Sequence, residues 1–336
     1  MAQPRVTLRD VAHRVGVHPS TVSRVLNPAT RSMVTPEIAR RVEAAADALG
    51  YRPNPIAYGL KTNRSLTVGV VIPDLTDPLF PPMIRGIEDA LARVGYTAIV
   101  ANTDNDRARE QVILERMRSR RVDALILGST QREDVLGDDD VPVVLINRSI
   151  DAGGATAVVS DNAGGIRQVV DHLVSLGHRH IAHVAGPQFL TTGIARYEAF
   201  LSVMAGHGLT VDPDLVTFGQ SYGRDEGRHG LSRLLAVGKR FTAAVAANDL
   251  LALGCYDALR ADGLRCPEDV SVTGFNDMPL VDMMAPPLTT VRIPHYDMGA
   301  EAARAVLERL NGAADEAATV VLPSTLIVRG STAPPL

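Results

Sequence analysis

Beyond residue 63 the chain alternates short apolar runs with longer segments in which apolar residues recur at helical spacing. The short runs are typical of buried strands, and the periodic segments between them are typical of helices. The predicted strands are Leu66–Ile72, Ala98–Ala101, Asp123–Leu127, Val143–Ile146, Ala157–Val159, Ile181–Ala185, Ala243–Ala246 and Val270–Phe275. The predicted helices include Met83–Val94, Ala108–Arg120, Gly165–Leu176, Arg196–Ala205 and Leu250–Asp262. This alternation indicates an α/β body whose parallel sheets are covered by helices on both faces.

The first fifty residues show a different pattern, with three short helices and no strand-like run. Thr7 can cap the first helix, Gly16 can form a turn after it, and Pro19 and Pro36 suit the first positions of the next two. The predicted packing faces are Leu8, Val11, Ala12 and Val15, then Val22, Val25 and Leu26, then Ile38, Val42, Ala45 and Leu49. Small and branched residues around a glycine turn predict an all-helical helix-turn-helix headpiece.

The formal net charge of −4 conceals an asymmetry along the chain. Residues 1–61 contain nine Lys or Arg and four Asp or Glu, a net charge of +5, so the remaining residues carry −9. A basic segment on an acidic body favours a polyanion as the partner of the first sixty residues. A basic but merely solvated helical surface explains the charge alone equally well.

Polar residues follow successive predicted strands at the point where each strand ends. They are Asp74 and Thr76, Asn147 and Arg148, Asp161, Asn248 and Asn276, with Asp249 and Asp277 beside the last two. Each one alone is more often a helix cap or a turn residue. Because ligands of parallel sheets bind at the carboxyl ends of strands, their recurrence predicts a polar pocket there.

Several classes of protein are disfavoured by this sequence. No apolar run approaches the about 20 residues of a membrane helix, and the N-terminus lacks the pattern of a signal peptide, so we expect a cytoplasmic protein with no membrane partner. The sequence contains no phosphate-binding loop, nucleophile elbow or HExxH motif, and we therefore expect neither an enzyme nor a cofactor. Cys255 and Cys266 form no CxxC pair and are expected to be reduced.

The densest group of possible metal ligands is His172, His178, His180 and His183. These four histidines straddle a predicted helix end, a turn and a strand. We therefore predict that they do not form a metal site.

The headpiece resembles the DNA-binding domain of the lactose-repressor/galactose-repressor (LacI/GalR) family of bacterial regulators. The matching stretches are Val6-Thr7-Leu8-Arg9-Asp10-Val11-Ala12, Gly16-Val17, Thr21-Val22-Ser23-Arg24-Val25-Leu26-Asn27 and Ala48-Leu49-Gly50-Tyr51-Arg52-Pro53-Asn54. They supply the first helix, the turn, the second-helix signature and the exit from the third helix together. The resemblance implies sequence-specific binding to operator DNA, with the second helix in the major groove.

The residues that this resemblance places on DNA are Thr7, His18, Pro19, Ser20, Thr21, Ser23, Arg24, Asn27, Leu60 and Lys61. His18, Ser20 and Arg24 are expected to bond to bases, whereas Pro19 can offer only an apolar contact. The residues better placed for phosphates are Thr21, Ser23 and Asn27. The alternative for His18 is that it merely caps its helix.

Residues 51–63 correspond to the family's hinge helix, which enters the minor groove beside its twin. By the resemblance Leu60 is the residue that inserts between base pairs, and Lys61 is the basic residue next to it. Gly59 departs from the usual polar residue and weakens a helix here by up to about 1 kcal/mol. The alternative is an ordinary linker with an apolar residue docked on the body.

The body also resembles this family and periplasmic sugar-binding proteins, in which two doubly wound subdomains close on a ligand. The matching stretches are Ile72-Pro73-Asp74-Leu75-Thr76-Asp77-Pro78, His178-Arg179-His180-Ile181, Ala247-Asn248-Asp249 and Gly274-Phe275-Asn276-Asp277. The implied effector site comprises Asp74, Phe80, Asn147, Arg148, Asp161, Arg196, Tyr222, Asn248 and Asn276. Asn147 and Asn276 stand where the family often has a carboxylate. These departures make an anionic ligand more credible, although a neutral sugar remains the default expectation.

The expected domains are a headpiece over residues 1–50, a hinge over 51–63 and a body over 64–333. Within the body, one subdomain is expected over about 64–162 and 294–322, and the other over about 163–293 and 323–333. No leucine heptad follows Arg329, which favours a homodimer.

We therefore expect a ligand-responsive transcriptional regulator, a repressor by preference, with a sugar, a sugar acid or a similar molecule as effector. A solute-binding transport component shares the body, but it needs an export signal and no headpiece. A nucleotide-cofactor enzyme needs a glycine-rich turn after its first strand, where this chain has Pro73-Asp74-Leu75-Thr76. The direction of regulation, induction or corepression, stays open.

Overall fold

The computed structural model describes residues 6–26, 30–51, 64–134, 141–151, 154–312 and 317–336. The chain forms two compact units, Met1–Ser65 and Leu66–Leu336. Three residues predicted to contact DNA, Asn27, Leu60 and Lys61, lie outside the described residues.

The described residues of the headpiece form three α-helices: α1 (Leu8–Val15), α2 (Pro19–Val25) and α3 (Pro36–Ala48). Thr7 caps α1 as predicted, because its hydroxyl accepts a hydrogen bond from the Asp10 amide while its own amide donates to the Asp10 carboxylate. Gly16 ends the helix with φ of +73°, a left-handed conformation that glycine adopts without a steric penalty. The sequence thus encodes both ends of α1 locally.

The buried core of the headpiece consists of Val11, Ala12, Val15, Val22, Val25, Ala39, Val42, Ala46 and Tyr51. The packing face of α3 is rotated from the predicted one: Ala39 and Ala46 are buried with Val42, whereas Ile38, Ala45 and Leu49 lie half-buried around them. Two of the three buried side chains of α3 are therefore small alanines. A search for large apolar residues alone misses such a face.

The body contains two six-stranded sheets. The first holds β1 (Thr67–Ile72), β2 (Thr97–Asn102), β3 (Ala124–Leu127), β4 (Val143–Ile146), β5 (Thr156–Ser160) and β11 (Thr319–Leu322). Its strands are all parallel, in the order β11-β5-β4-β3-β1-β2. Four of them are fully or almost fully buried, as the continuous apolar runs predict.

The second sheet holds β6 (Ile181–Ala185), β7 (Val216–Phe218), β8 (Ala243–Ala246), β9 (Ser271–Asn276), β10 (Thr289–Arg292) and β12 (Thr325–Ile327). Its order is β12-β10-β9-β8-β6-β7, and only β12 runs antiparallel to its neighbour. The chain passes from one sheet to the other after β5, after β10 and after β11. These crossings join two α/β subdomains, which confirms the predicted fold class.

The helices of the body are α4 (Phe80–Ala92), α5 (Arg107–Ser119), α6 (Asn162–Ser175), α7 (Thr191–Gly206), α8 (Arg224–Ala236), α9 (Asp249–Ala261) and α10 (His295–Leu310). Helix α8 was not among the elements named from the sequence. Its buried face includes Gly227 and Gly230 beside only two leucines, so its apolar periodicity is weak.

Candidate DNA-binding and effector sites

The second helix of the headpiece begins with an exposed polar surface. His18, Ser20 and Arg24 are exposed, while Pro19 occupies the first helical position. The Nδ1 atom of His18 accepts a hydrogen bond from the Ser20 amide at 3.2 Å and lies 2.8 Å from the Ser20 hydroxyl oxygen. His18 therefore caps α2 through one ring nitrogen, and a base contact has to come from the other, Nε2.

The remaining headpiece positions predicted on DNA differ in their surroundings. Thr21 and Ser23 lie on α2 and are half-buried, with part of each side chain reaching the surface. Thr7 is exposed, but its hydroxyl also donates to the Asp10 carboxylate at 2.7 Å. Its DNA contact stays a prediction, because the capping interactions already explain a threonine at this position.

A cleft in the body encloses about 240 Å³, part of it continuous with solvent. Its lining residues are Asp77, Leu79, Asn147, Arg148, Thr192, Arg196, Tyr222, Asn248 and Asn276. They follow β1, β4, β8 and β9 or belong to the first turns of α7 and the loop before α8. Residues at the carboxyl ends of strands in both sheets thus meet around one space, where open α/β sheets bind ligands.

Six of the residues predicted for the effector site line this cleft: Asn147, Arg148, Arg196, Tyr222, Asn248 and Asn276. The other three do not, and each has a structural role. Asp74 accepts hydrogen bonds from the amide and hydroxyl of Thr76, and Asp161 caps α6 by accepting from the Gly164 amide. Phe80 is only 1% exposed and packs in the core beneath the first sheet's helices, so it offers no ring face to a ligand in the cleft.

Three lining residues were missed by the sequence analysis: Asp77, Leu79 and Thr192. Asp77 lies in the same turn as Asp74, three residues further on, and the Asp-x-x-Asp spacing gave no means of choosing between them. Thr192 lies in the first turn of α7, one helical turn before Arg196. That spacing is a usable signal, since residues i and i+4 of a helix share a face.

Arg196 is anchored in the floor of the cleft. Its Nε donates to the Asn162 side-chain oxygen at 2.8 Å, and its Nη1 donates to the Ala247 carbonyl at 2.6 Å. The guanidinium carbon lies 3.8 Å from the centroid of the Phe275 ring, a cation–π arrangement. Burial lowers the pKa of Arg196 to about 10, so the group remains charged at neutral pH.

Arg148 reaches across the cleft from the first subdomain to the second. Its Nη1 donates to the Asn147 carbonyl at 2.9 Å and to the Thr192 hydroxyl at 3.2 Å, and that hydroxyl lies 3.0 Å from the Tyr222 hydroxyl. The Nε of Arg148 and the side-chain oxygen of Asn147 are buried without a hydrogen-bond partner. Unpartnered buried polar atoms are rare in folded proteins, and here they mark positions that a ligand can satisfy.

The two remaining asparagines are held from the second sheet. Asn248 caps α9 by accepting from the Leu251 amide at 2.8 Å, and its amide nitrogen donates to the Tyr222 carbonyl at 3.2 Å. Asn276 ends β9 and accepts from Nη2 of Arg196 at 3.4 Å. Together these contacts fix amide groups beside a guanidinium, which suits recognition of hydroxyl and carboxyl oxygens.

Three of the four grouped histidines are engaged in contacts within the protein. His183 is fully buried, its Nδ1 donates to the Val245 carbonyl at 2.8 Å, and burial lowers its pKa to about 4. His178 contacts the Thr242 hydroxyl and the Ala333 carbonyl, and His172 contacts the Thr332 hydroxyl. Across the described ranges no three His, Cys, Asp or Glu side chains are grouped as metal ligands. In the same ranges no helix is both long and apolar enough to span a membrane.

A helix-turn-helix headpiece and a two-subdomain body with a polar cleft, in one chain, define the class of ligand-sensing DNA-binding regulators. Two family comparisons agree with this assignment. Residues 7–54 match the bacterial regulatory proteins of the lacI family, and residues 170–332 match the periplasmic binding protein-like domain. The chain belongs to the lacI family of bacterial regulatory proteins.

Similar proteins match along nearly the whole chain. The HTH-type transcriptional regulator RegA of Clostridium saccharobutylicum is 33% identical over 331 residues, which cover 97% of this chain and 99% of that protein. A lac repressor dimer bound to operator and the anti-inducer ONPF matches with a TM-score of 0.86 and 28% identity, covering 98% of this chain and 100% of that one. The CelR–cellobiose complex matches with a TM-score of 0.75 and 32% identity, covering 97% and 100%.

Proposed function

We propose that this chain binds operator DNA through its headpiece and that a small hydroxylated molecule in the body's cleft controls this binding. The observation that carries the proposal is the meeting of Asn147, Arg148, Arg196, Asn248 and Asn276 around one cavity in a chain that also carries a helix-turn-helix. Amides and guanidinium groups donate and accept at fixed angles, as recognition of vicinal hydroxyls requires.

The DNA-contacting part of the proposal rests on the exposed start of α2. His18, Ser20 and Arg24 contact base edges in the major groove, and Pro19 contacts an apolar group such as a thymine methyl. Thr7, Thr21 and Ser23 contact phosphates or orient the helix, and the hinge residues Leu60 and Lys61 contact the minor groove. Support for the hinge residues comes from the sequence alone.

We propose a homodimer as the active species, with residues 1–50, 51–63 and 64–333 as headpiece, hinge and body. The solved relative on operator DNA is a dimer. Two headpieces related by a two-fold axis need a pseudo-palindromic site with half-sites about one helical turn apart. Because its target is DNA, the protein acts in the cytoplasm, and because its relatives are regulators, we propose no catalytic activity.

A ligand couples the two units by holding the subdomains of the body together. Arg148 comes from the first subdomain, and Thr192, Arg196, Asn248 and Asn276 come from the second, so a molecule bonded to both sets favours one closure angle. In a dimer the closure angle sets the separation at which the two hinge segments meet. This mechanism needs a coupling free energy of about 1–3 kcal/mol, the usual allosteric range.

The test begins with selection of binding sites by the full chain from a pool of random duplex DNA. We expect a pseudo-palindrome, and we expect Arg24→Ala to lose about 1–3 kcal/mol of binding free energy on the selected site. Arg40→Ala is the matched control, since Arg40 is an exposed arginine of α3. Equal losses for both variants, on selected and on scrambled DNA alike, would mean that Arg24 acts only through its charge.

A further inference from the structure

The cleft buries two positively charged guanidinium groups close enough to repel each other. Arg148 is 6% exposed and Arg196 is 2% exposed. The positive charge of Arg148 also disfavours the charged form of Arg196. Removing a charged side chain from water is costly unless an opposite charge and hydrogen bonds compensate for it.

The hydrogen-bond partners of both arginines are electrically neutral. Arg148 donates to a carbonyl and a hydroxyl, and Arg196 donates to two side-chain amides and a carbonyl. In the described part of the chain neither guanidinium lies within 4.0 Å of a carboxylate oxygen. Sixteen ion pairs form elsewhere in the same residues, and one of them joins Arg329 to Asp277. These two buried arginines therefore have no ion-pair partner at contact distance.

The nearby acids compensate only in part. Asp77 lines the cleft, but its carboxylate accepts from the Leu79 amide, and burial raises its pKa. Asp249 lies below the cleft and is bound to the Thr290 hydroxyl and the Met278 amide, and burial raises its pKa to about 7. With Asp77 ionised, the lining of the cleft carries two positive charges and one negative charge.

One of the buried polar atoms without a partner points to the same deficiency. The Nε of Arg148 is a buried donor without an acceptor, and it belongs to one of the two unpaired cations. We infer that the ligand of this cleft is a hydroxylated monoanion, a sugar acid or a similar hydroxycarboxylate, and not a neutral sugar. This inference rests on the proposed function only in taking the cleft as the effector site.

The net charge of the cleft lining selects a carboxylate over a phosphate ester. A carboxylate brings one negative charge at neutral pH, which balances the net charge of the lining, whereas a phosphate monoester brings between one and two. A carboxylate can also accept two hydrogen bonds from one guanidinium.

The first arm of the test needs no ligand. Arg148→Met and Arg148→Gln both remove the charge while keeping a side chain of similar length, and we expect each variant to melt at the same temperature as the full-length parent or higher. Arg179→Met is the control, because Arg179 also donates only to carbonyls but is exposed, and it should leave the melting temperature unchanged. If both neutral variants at position 148 melt lower than the control, the protein itself compensates this charge and the inference is wrong.

The second arm measures melting temperature with matched pairs of compounds: glucuronate with glucose, galacturonate with galactose, and gluconate with sorbitol, together with glucose 6-phosphate. We expect an acid of the panel to raise the melting temperature, by about 5 °C at 100 times its Kd, while its neutral partner does not. Arg148→Gln should weaken that acid about 10- to 100-fold, and Arg179→Met should not. A neutral sugar that binds as tightly as its acid, or a preference for the phosphate ester, overturns the inference. If no compound binds, the comparison without ligand decides alone.

Failure of this inference is distinguishable from failure of the proposed function. A neutral sugar that changes affinity for the selected DNA refutes the anionic ligand and leaves the regulator intact. A sugar acid that binds the cleft of a protein with no sequence preference on DNA refutes the regulator and leaves the ligand class intact.

Discussion

A methyl group at Gly193 tests how closely α7 packs against Pro187, next to the cleft-lining residue Thr192. Gly193 lies in the first turn of α7, and a Cβ there would overlap the carbonyl oxygen of Pro187. The backbone of α7 or of Pro187 must then shift, because the overlapping atom belongs to the backbone and not to the end of a flexible side chain. Gly206, the last residue of the same helix, has no atom within 4 Å of a Cβ placed on it, and it supplies a matched control.

The magnitudes follow from two opposing effects. Alanine in place of a helical glycine stabilises by about 0.5–1 kcal/mol, since it lowers the entropy lost on folding. Overpacking costs about 1–3 kcal/mol at Gly193. We therefore expect Gly193→Ala to destabilise the body by about 0.5–2 kcal/mol, whereas Gly206→Ala stabilises it by up to about 1 kcal/mol. For a unit of this size the two melting temperatures then move in opposite directions, by about 1–4 °C and 1–2 °C.

The assay is thermal and urea unfolding of the two variants beside the parent protein. Gly193→Ala should also weaken binding in the cleft, because the adjacent Thr192 holds Arg148 and contacts Tyr222. If Gly193→Ala is as stable as Gly206→Ala, the close approach of α7 to Pro187 does not exist. The position that the structure gives to Thr192 would then be wrong as well.

Two further predictions concern single groups in the two units. The pKa of Asp249 is raised by burial to about 7 from an ordinary 3.8, so the folded protein binds a proton more tightly than the unfolded chain does. Its contribution to the free energy of unfolding should fall as pH rises from about 4 to 7, by up to about 1.4 kcal/mol per pH unit. Asp249→Asn should remove this pH dependence. Free energies of unfolding in urea that change equally with pH in parent and variant between pH 5 and 8 contradict this. Thr7→Ala should destabilise the headpiece by about 0.5–2 kcal/mol through loss of the cap on α1, and circular dichroism melting that shows no change contradicts the role of the capping box.

The sequence predicted most of the body because its strands are buried on both faces. Such strands are continuous apolar runs, and Val143–Ile146 and Ile181–Ala185 were predicted at their observed limits. Helix α8 was harder, since glycines make up half of its buried positions and carry no apolar signal. The packing face of α3 was also misplaced, because two of its three buried residues are small alanines, Ala39 and Ala46.

The lining of the cleft was predictable where the position of a residue follows directly from topology. Asn147, Arg148 and Asn248 follow strands within two residues and Asn276 ends one, and parallel strands bring their carboxyl ends together. Phe80 does not line the cleft, and its sequence position in the first turn of α4 does not reveal which way the ring points. Thr192 was missed because its contact with Arg148 joins residues 44 positions apart, and one sequence carries no record of such a pair.

The most direct test of the account is the affinity of the full-length protein for its selected DNA site, measured by fluorescence anisotropy with and without a compound that binds the cleft. We predict that the compound changes this affinity by about 5- to 150-fold, and that the DNA changes affinity for the compound by the same factor. Arg196→Met should bind DNA like the parent but lose the response to the compound. The reason is that Arg196 lines the cleft of the body and is not part of the headpiece. A parent protein whose DNA affinity is identical with and without a compound shown to occupy the cleft contradicts the account.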